Sequence, residues 1–219
     1  MTKETNFLAG TRLLAIQGRR LLFIGAHPDD IELGCGALLH SVAPTSPIRC
    51  VTLSNNQVNS PDGTLMAEHR ASLTILGVAS SDIDIYSFVT RRFSEARQEI
   101  LDRMIELRDR FRPDVVFTHS ESDIHQDHAI VTHEASRAFR GVTVLGFEIL
   151  RSTSGFRPTV FFEVNESDAL QKVAAAAEFR TYRDKSYLGE QAVRSGLVRY
   201  GSISDKPLAE AFDVVRLVS

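Results

Sequence analysis

Two clusters of residues able to bind a metal and move protons stand out: His27-Pro28-Asp29-Asp30, and His125-Gln126-Asp127-His128 about a hundred residues later. His27 and Asp30 are three apart in a loop held by Pro28, so an imidazole nitrogen and a carboxylate oxygen can reach one point. His128 could supply a third ligand. Three N and O ligands with one open position is how catalytic zinc is usually held, because water or a carbonyl oxygen takes the vacant place. A structural zinc site prefers four ligands, often thiolates, and this chain has two cysteines, Cys35 and Cys50, without C-x-x-C spacing. Zinc is the expected metal, with another divalent ion as the alternative.

Asp29 is left over from that assignment. Neighbouring loop residues generally point differently, so Asp29 can face the metal's water as a general base; zinc brings the pKa of such water to about 7, within reach of a carboxylate partner. His125 could approach the same point from the other side. There it would stabilise an oxyanion or protonate a leaving amine, with Asp127 orienting its ring and raising its pKa. The bland alternatives are a Pro turn with an Asp cap for HPDD, and a helix cap beside a surface histidine for the second cluster. Gly34-Cys35-Gly36 after a strand also resembles the start of a dinucleotide fingerprint, but its third glycine would fall at Leu39 and acidic residues occupy the turn. These glycines are expected to let the helix start pack closely against the metal loop. His40, His69 and His133 read as structural or surface residues, whereas His119 ends a strand close to the site.

The elements that must position these clusters follow from hydrophobic patterning. Leu21 to Ala26 is a continuous apolar run, as expected of a strand covered on both faces. Cys35, Leu38, Leu39 and Val42 then mark a helix with one buried face, closed by Pro44 and Pro47. Ile48 to Leu53 is a strand, Asn55 to Thr64 a polar loop, and Leu65 to Leu76 a helix stopped by Gly77. Ile83 to Phe88 suggests an edge strand. Ser94 can cap a helix carrying Ile100, Met104, Leu107 and Phe111, and Pro113 ends it. Asp114 to Thr118 is the strand leading into the second cluster, and Val131, Ala135 and Ala138 mark the next helix. Strands at Val142 to Leu150 and Thr159 to Val164, helices at Ser167 to Tyr182 and from Glu190, and a strand at Phe212 to Leu217 complete the chain. The alternation predicts an α/β, Rossmann-like, mostly parallel sheet with helices on both faces. Both clusters follow strands, at the carboxyl ends where such sheets bind ligands.

The 219 residues, 43% hydrophobic, suffice for one domain: a core over about 20–150 with a variable part over about 151–219. A net charge of -3 gives no general attraction to nucleic acid or anionic lipid. No secretory leader and no apolar run long enough for a membrane span is read, so a cytoplasmic protein is expected, with both cysteines in the core.

Ala26-His27-Pro28-Asp29-Asp30-Ile31-Glu32-Leu33-Gly34-Cys35-Gly36 closely resembles the signature of the LmbE-like, or PIG-L type, de-N-acetylases, and Asp123-Ile124-His125-Gln126-Asp127-His128 resembles their second motif. Fainter likeness extends through Leu76-Gly77, Phe147-Glu148-Ile149 and Ala209-Glu210-Ala211-Phe212. The resemblance implies zinc ligands at His27, Asp30 and His128, Asp29 as general base, and a transition-state role for His125 paired with Asp127. It implies removal of an acetyl group from a small GlcNAc-containing substrate by a protein that assembles with copies of itself. The rivals are an amidase or deacylase acting on a thiol conjugate or natural-product amide, and a noncatalytic sugar-binding protein of the same fold. Where the family often has a substrate-gripping Arg, this chain has Leu65; Gln126 replaces a common Pro, and the loop from Ser54 to Gly63 lacks the usual glycines. Arg151, Arg157, Arg180, Arg183 and Arg199 are candidates for a phosphate of a nucleotide-linked sugar.

Overall fold

A computed structural model describes residues 16–218. Seven strands form one sheet: β1 (Leu21–Gly25), β2 (Ile48–Thr52), β3 (Ile83–Ile85), β4 (Val115–His119), β5 (Thr143–Phe147), β6 (Val160–Glu163) and β7 (Ala209–Arg216), in the spatial order β3-β2-β1-β4-β5-β7-β6. The first five are parallel, and β7 runs antiparallel between β5 and β6. The chain builds outward from β1 to β3, then returns to place β4 on the other side of β1. This reversal leaves a crevice beyond the carboxyl ends of β1 and β4, where the two motifs emerge.

Side chains alternate across each strand, so β1 feeds two cores. Leu21 and Phe23 join Ile31, Leu38 and Leu39 of α1 (Asp30–Val42) and Leu73 of α2 (Thr64–Ile75). Leu22 and Ile24 join Ile100 and Met104 of α3 (Arg97–Phe111) and Val131 and Ala135 of α4 (Gln126–Ala138) on the other face. All four β1 side chains have no exposure, and burial of each contributes about 1.5–3 kcal/mol. The frame under the crevice is therefore rigid. Helices α5 (Glu166–Ala177) and α6 (Glu190–Ser204) complete the first layer, and the connection between them folds over the crevice. Both cysteines are buried thiols, as expected. Among the described residues, no helix is long and apolar enough to cross a membrane.

Four local expectations change. Helix α1 starts five residues before Cys35, because Asp29 adopts a left-handed backbone (φ 99°) that turns the chain directly from the strand into the helix. Ser94 does not cap α3; Phe93–Glu95 forms a separate 3-10 turn and Ala96 precedes the helix. The edge strand ends at Ile85, and the helix expected through Tyr182 ends at Ala177, followed by a second 3-10 turn.

Candidate active site

The loop after β1 brings His27, Asp29 and Asp30 to the crevice floor, and the start of α4 brings His125 and His128 to the same place. His27, Asp30 and His128 are 8%, 3% and 3% exposed. His27 Nδ1 lies 3.3 Å from His128 Nε2 and 3.6 Å from Asp30 Oδ2, and His128 Nε2 lies 3.5 Å from Asp30 Oδ1. Tetrahedral ligands about 2.0–2.1 Å from a zinc ion stand about 3.3–3.4 Å apart. The spacing suits that ion.

The outer nitrogens strengthen the case. His27 Nε2 is 3.0 Å from Asp127 Oδ2, and His128 Nδ1 is 2.8 Å from Asp123 Oδ2. Each carboxylate takes a ring N–H, which fixes the tautomer and leaves two bare lone pairs facing each other across the site. Two lone pairs at that distance repel unless a cation or proton lies between them. Burial opposes charging His27, but its hydrogen bonds to Asp127 and Asp30 prevail and hold a proton there with a pKa pushed up to about 10; a metal ion would displace that proton.

Other donors crowd the same point, and two overlapping groups each include His128: His27, His125 and His128, and Asp30, His119 and His128. Hydrogen bonding separates their roles. His125 Nδ1 accepts the Asp127 N–H at 3.2 Å, capping α4, so the proton of its neutral ring sits on Nε2 and can be donated to the cavity. Burial and the nearby His128 and His27 lower its pKa. His119 Nε2 accepts the Ala26 N–H at 3.1 Å, and its ring stacks on His128 at 3.8 Å between centroids. Neither nitrogen assignment favours ligation.

One expectation needs correction. The Asp127 carboxylate does not orient His125; it binds His27 and receives the backbone N–H groups of Arg91 and Phe93 at 2.6 and 3.4 Å. Residues two apart in a first helical turn point in different directions, so Asp127 reaches across to the first motif instead. The expected upward shift of His125 is a downward one, because burial and the nearby His128 and His27 outweigh Asp127. The glycines also differ from expectation: a Cβ on Gly34 would stand 2.2 Å from the Phe147 ring, and one on Gly36 3.3 Å from Lys172, so both serve packing against β5 and α5 rather than against the metal loop.

The two adjacent aspartates are driven apart. Burial, then the charge of Asp30, raises the pKa of Asp29 well above the ordinary carboxylate range. Burial acts the same way on Asp30, but His128 and His119 outweigh it and hold Asp30 ionised. Asp29 makes no capping bond to α1; Tyr187 O–H donates to its Oδ2 at 3.4 Å. The cap alternative for HPDD therefore does not describe this loop.

Sequence reasoning missed several residues around the site. Asp123 lies inside the quoted second motif, yet its grip on His128, reinforced by the Ser152 hydroxyl at 2.9 Å, depends on the fold. Arg91, Tyr182, Lys185 and Tyr187 line a cavity of about 440 Å³ above the floor. The Ser54 to Gly63 loop does reach it through Asn56 and Asn59. Leu65 is fully buried with Phe179 and Tyr182, away from the cavity. Of the five candidate arginines only Arg151 lines it; Arg180 and Arg183 pair with Glu178 and Asp184. Glu32, His69 and Thr52 form a buried chain beneath the loop, with His69 2.7 Å from both partners, as befits a structural histidine.

The GlcNAc-PI de-N-acetylase (PIG-L) family model matches residues 22–139, more than half of the chain. An Escherichia coli K12 protein described as uncharacterized deacetylase YaiS is 31% identical over 174 residues, spanning 74% of this chain and 90% of that one. The conserved protein TT1542 of Thermus thermophilus superposes with a TM-score of 0.76 at 22% identity, covering 92% of this chain and 96% of its own. The N,N'-diacetylchitobiose deacetylase of Pyrococcus horikoshii gives 0.69 at 16% identity, covering 98% and 94%. The fold is that of the LmbE-like deacetylases. The chain belongs to the PIG-L, LmbE-like family and is, by class, a deacetylase.

Proposed function

We propose that this protein is a zinc-dependent hydrolase that removes the acetyl group from a GlcNAc-containing small molecule. The observation that carries the reading is the pair of imidazole nitrogens 3.3 Å apart beside Asp30, with both outer nitrogens tied to carboxylates. His27, Asp30 and His128 would hold the metal. When bound, zinc supplies a Lewis acid and lowers the pKa of water to about 7.

Asp29 takes the proton of the attacking water. Burial and the charge of Asp30 raise its pKa above the ordinary carboxylate range, which strengthens it as a base, and burial keeps it out of bulk solvent. Tyr187 orients that carboxylate through its hydroxyl. His125 presents Nε2–H towards the cavity, placed to donate to the carbonyl oxygen as negative charge develops there. Asp127 and Asp123 hold the ligand rings and do not touch substrate.

The test is acetate release from GlcNAc glycosides, measured beside zinc content and after treatment with a chelator. Release that disappears with the zinc and returns when it is restored supports the reading. A zinc-replete protein that cleaves long-chain acyl or thiol-conjugate amides but not acetamides replaces it with the rival amidase. A protein that binds sugar without zinc replaces it with the noncatalytic reading.

A further inference from the structure

We propose that the substrate carries a negatively charged group, a phosphate or a carboxylate, besides its N-acyl group, and that Arg151 and Lys185, with Arg91 on the rim, bind it. This deepens the functional reading above and rests on it in taking the cavity as the substrate site.

Several basic side chains elsewhere on this surface find acidic neighbours, among them Arg92 with Glu95, Arg103 with Glu106, Arg194 with Glu166 and Lys206 with Glu163. Among the described residues, no such ion pair holds Arg91, Arg151 or Lys185, and all three line the one cavity above the candidate metal ligands. The cavity's own carboxylates, Asp29 and Asp30, belong to the floor.

Aromatic faces hold two of these cations in place without neutralising them. Lys185 Nζ lies 4.4 Å from the Tyr182 ring centroid and 6.0 Å from that of Tyr187; Arg151 Cζ lies 5.7 Å from the Tyr187 ring. The Tyr187 hydroxyl touches Asp29 at 3.4 Å. The two cations thus lie beside the ring whose hydroxyl touches the proposed base, so an anion bound there belongs to the same ligand as the scissile amide.

Arg91 is rooted in the second motif. Its backbone is left-handed (φ 68°), its N–H donates to Asp127 Oδ2 at 2.6 Å, and its carbonyl accepts from Gln126 Nε2 at 2.5 Å. Asn56, Asn59 and Ser152 line the space between, offering neutral partners for sugar hydroxyls. A neutral oligosaccharide would bring the three cations no countercharge of its own.

The experiment titrates zinc-loaded Asp29→Asn protein, which should leave the ligand uncleaved, with N-acetylglucosamine, its 1-phosphate and N-acetylmuramate by calorimetry. At least one charged ligand is expected to bind tenfold or more tightly than the neutral sugar, and the preferred one identifies phosphate or carboxylate as the source. Arg151→Ala and Lys185→Ala should each reduce that preference about threefold to fivefold, as removal of one partly exposed charge does. The double variant should reduce it further than either single one, and Arg157→Ala, outside the cavity, should leave it intact. Equal affinity for all three ligands overturns the proposal, as does no measurable binding of either charged one. A preference undiminished in the double variant comes from groups other than these cations and overturns it too. Because binding is read directly, a charge preference without acetate release defeats only the hydrolase reading, whereas acetate release with no charge preference defeats only the anion subsite.

Discussion

On the floor of the cavity each polar side chain is fixed by a neighbour: Asp127 on His27, Asp123 on His128, and the Asp127 N–H on His125. The wall that faces it, built from Arg151, Lys185 and the rings of Tyr182 and Tyr187, holds its charges by aromatic contacts and leaves them unneutralised. The floor comes from two contiguous motifs at strand ends; the wall comes from the β5–β6 connection and the α5–α6 connection. Preorganised polar groups suit a reaction that is the same for every substrate. Adaptable cations on connecting segments suit recognition of what a particular substrate carries besides its amide.

Removing a ligand should separate the two regions most sharply. His128→Ala is expected to abolish stoichiometric zinc, read by elemental analysis, whereas Tyr187→Phe should retain it. Full zinc occupancy in the His128 variant would break the division at its root. Next in size is Asp29→Asn, which should keep the metal and lower kcat by a factor of about 10² or more. Unchanged turnover would move the proton-accepting role off the floor. Asp123→Asn comes third. Replacing the carboxylate behind a ligand histidine typically costs about 10–100-fold in metal affinity, so competition with a chromophoric chelator should show a loss of that order. An affinity within twofold of the parent would mean that the ring is held by packing against His119 rather than by Asp123.

The same contrast explains which parts were legible from residue order. His27, Asp29, Asp30, His125 and His128 lie in two short runs, each directly after an apolar strand, so chemistry and place could be read together. The parallel sheet was readable because its buried strands are continuous apolar runs. Asp127 was visible, but its partner was not: only the packing of α4 beside the β1 loop turns its carboxylate onto His27. Asp29's left-handed backbone, which starts α1 early, leaves no trace in hydrophobic spacing. Arg91, Lys185 and Tyr187 carry no motif or periodicity, and their relation to Asp29 exists only once the α5–α6 connection has folded across the crevice. Leu65 was visible as a departure, and its destination in the core beneath Tyr182 was not.

The sheet beneath the two regions offers the smallest effect and a pH signature. Asp213 on β7 accepts a hydrogen bond from the Ser120 hydroxyl just past β4, and its other oxygen is buried without a partner. Burial, then the charge of Glu121, lifts its pKa to about 6 despite that hydrogen bond. Between the ordinary carboxylate value of about 3.9 and this raised value the folded state binds more protons than the unfolded one, so this group's contribution to stability falls as pH rises through that window. Above it the ionised carboxylate is a standing cost, reduced by the group's partial exposure to about 1 kcal/mol. Asp213→Asn keeps an acceptor for Ser120 and removes the charge. Urea unfolding at pH 7.5 should therefore show the variant more stable by about 1 kcal/mol, and the gap should shrink at pH 4.5, where the native carboxyl is largely protonated. A variant less stable at pH 7.5 would show that the ionised carboxylate itself ties β7 to the end of β4, and the sheet under the site would then be held there by charge rather than by packing.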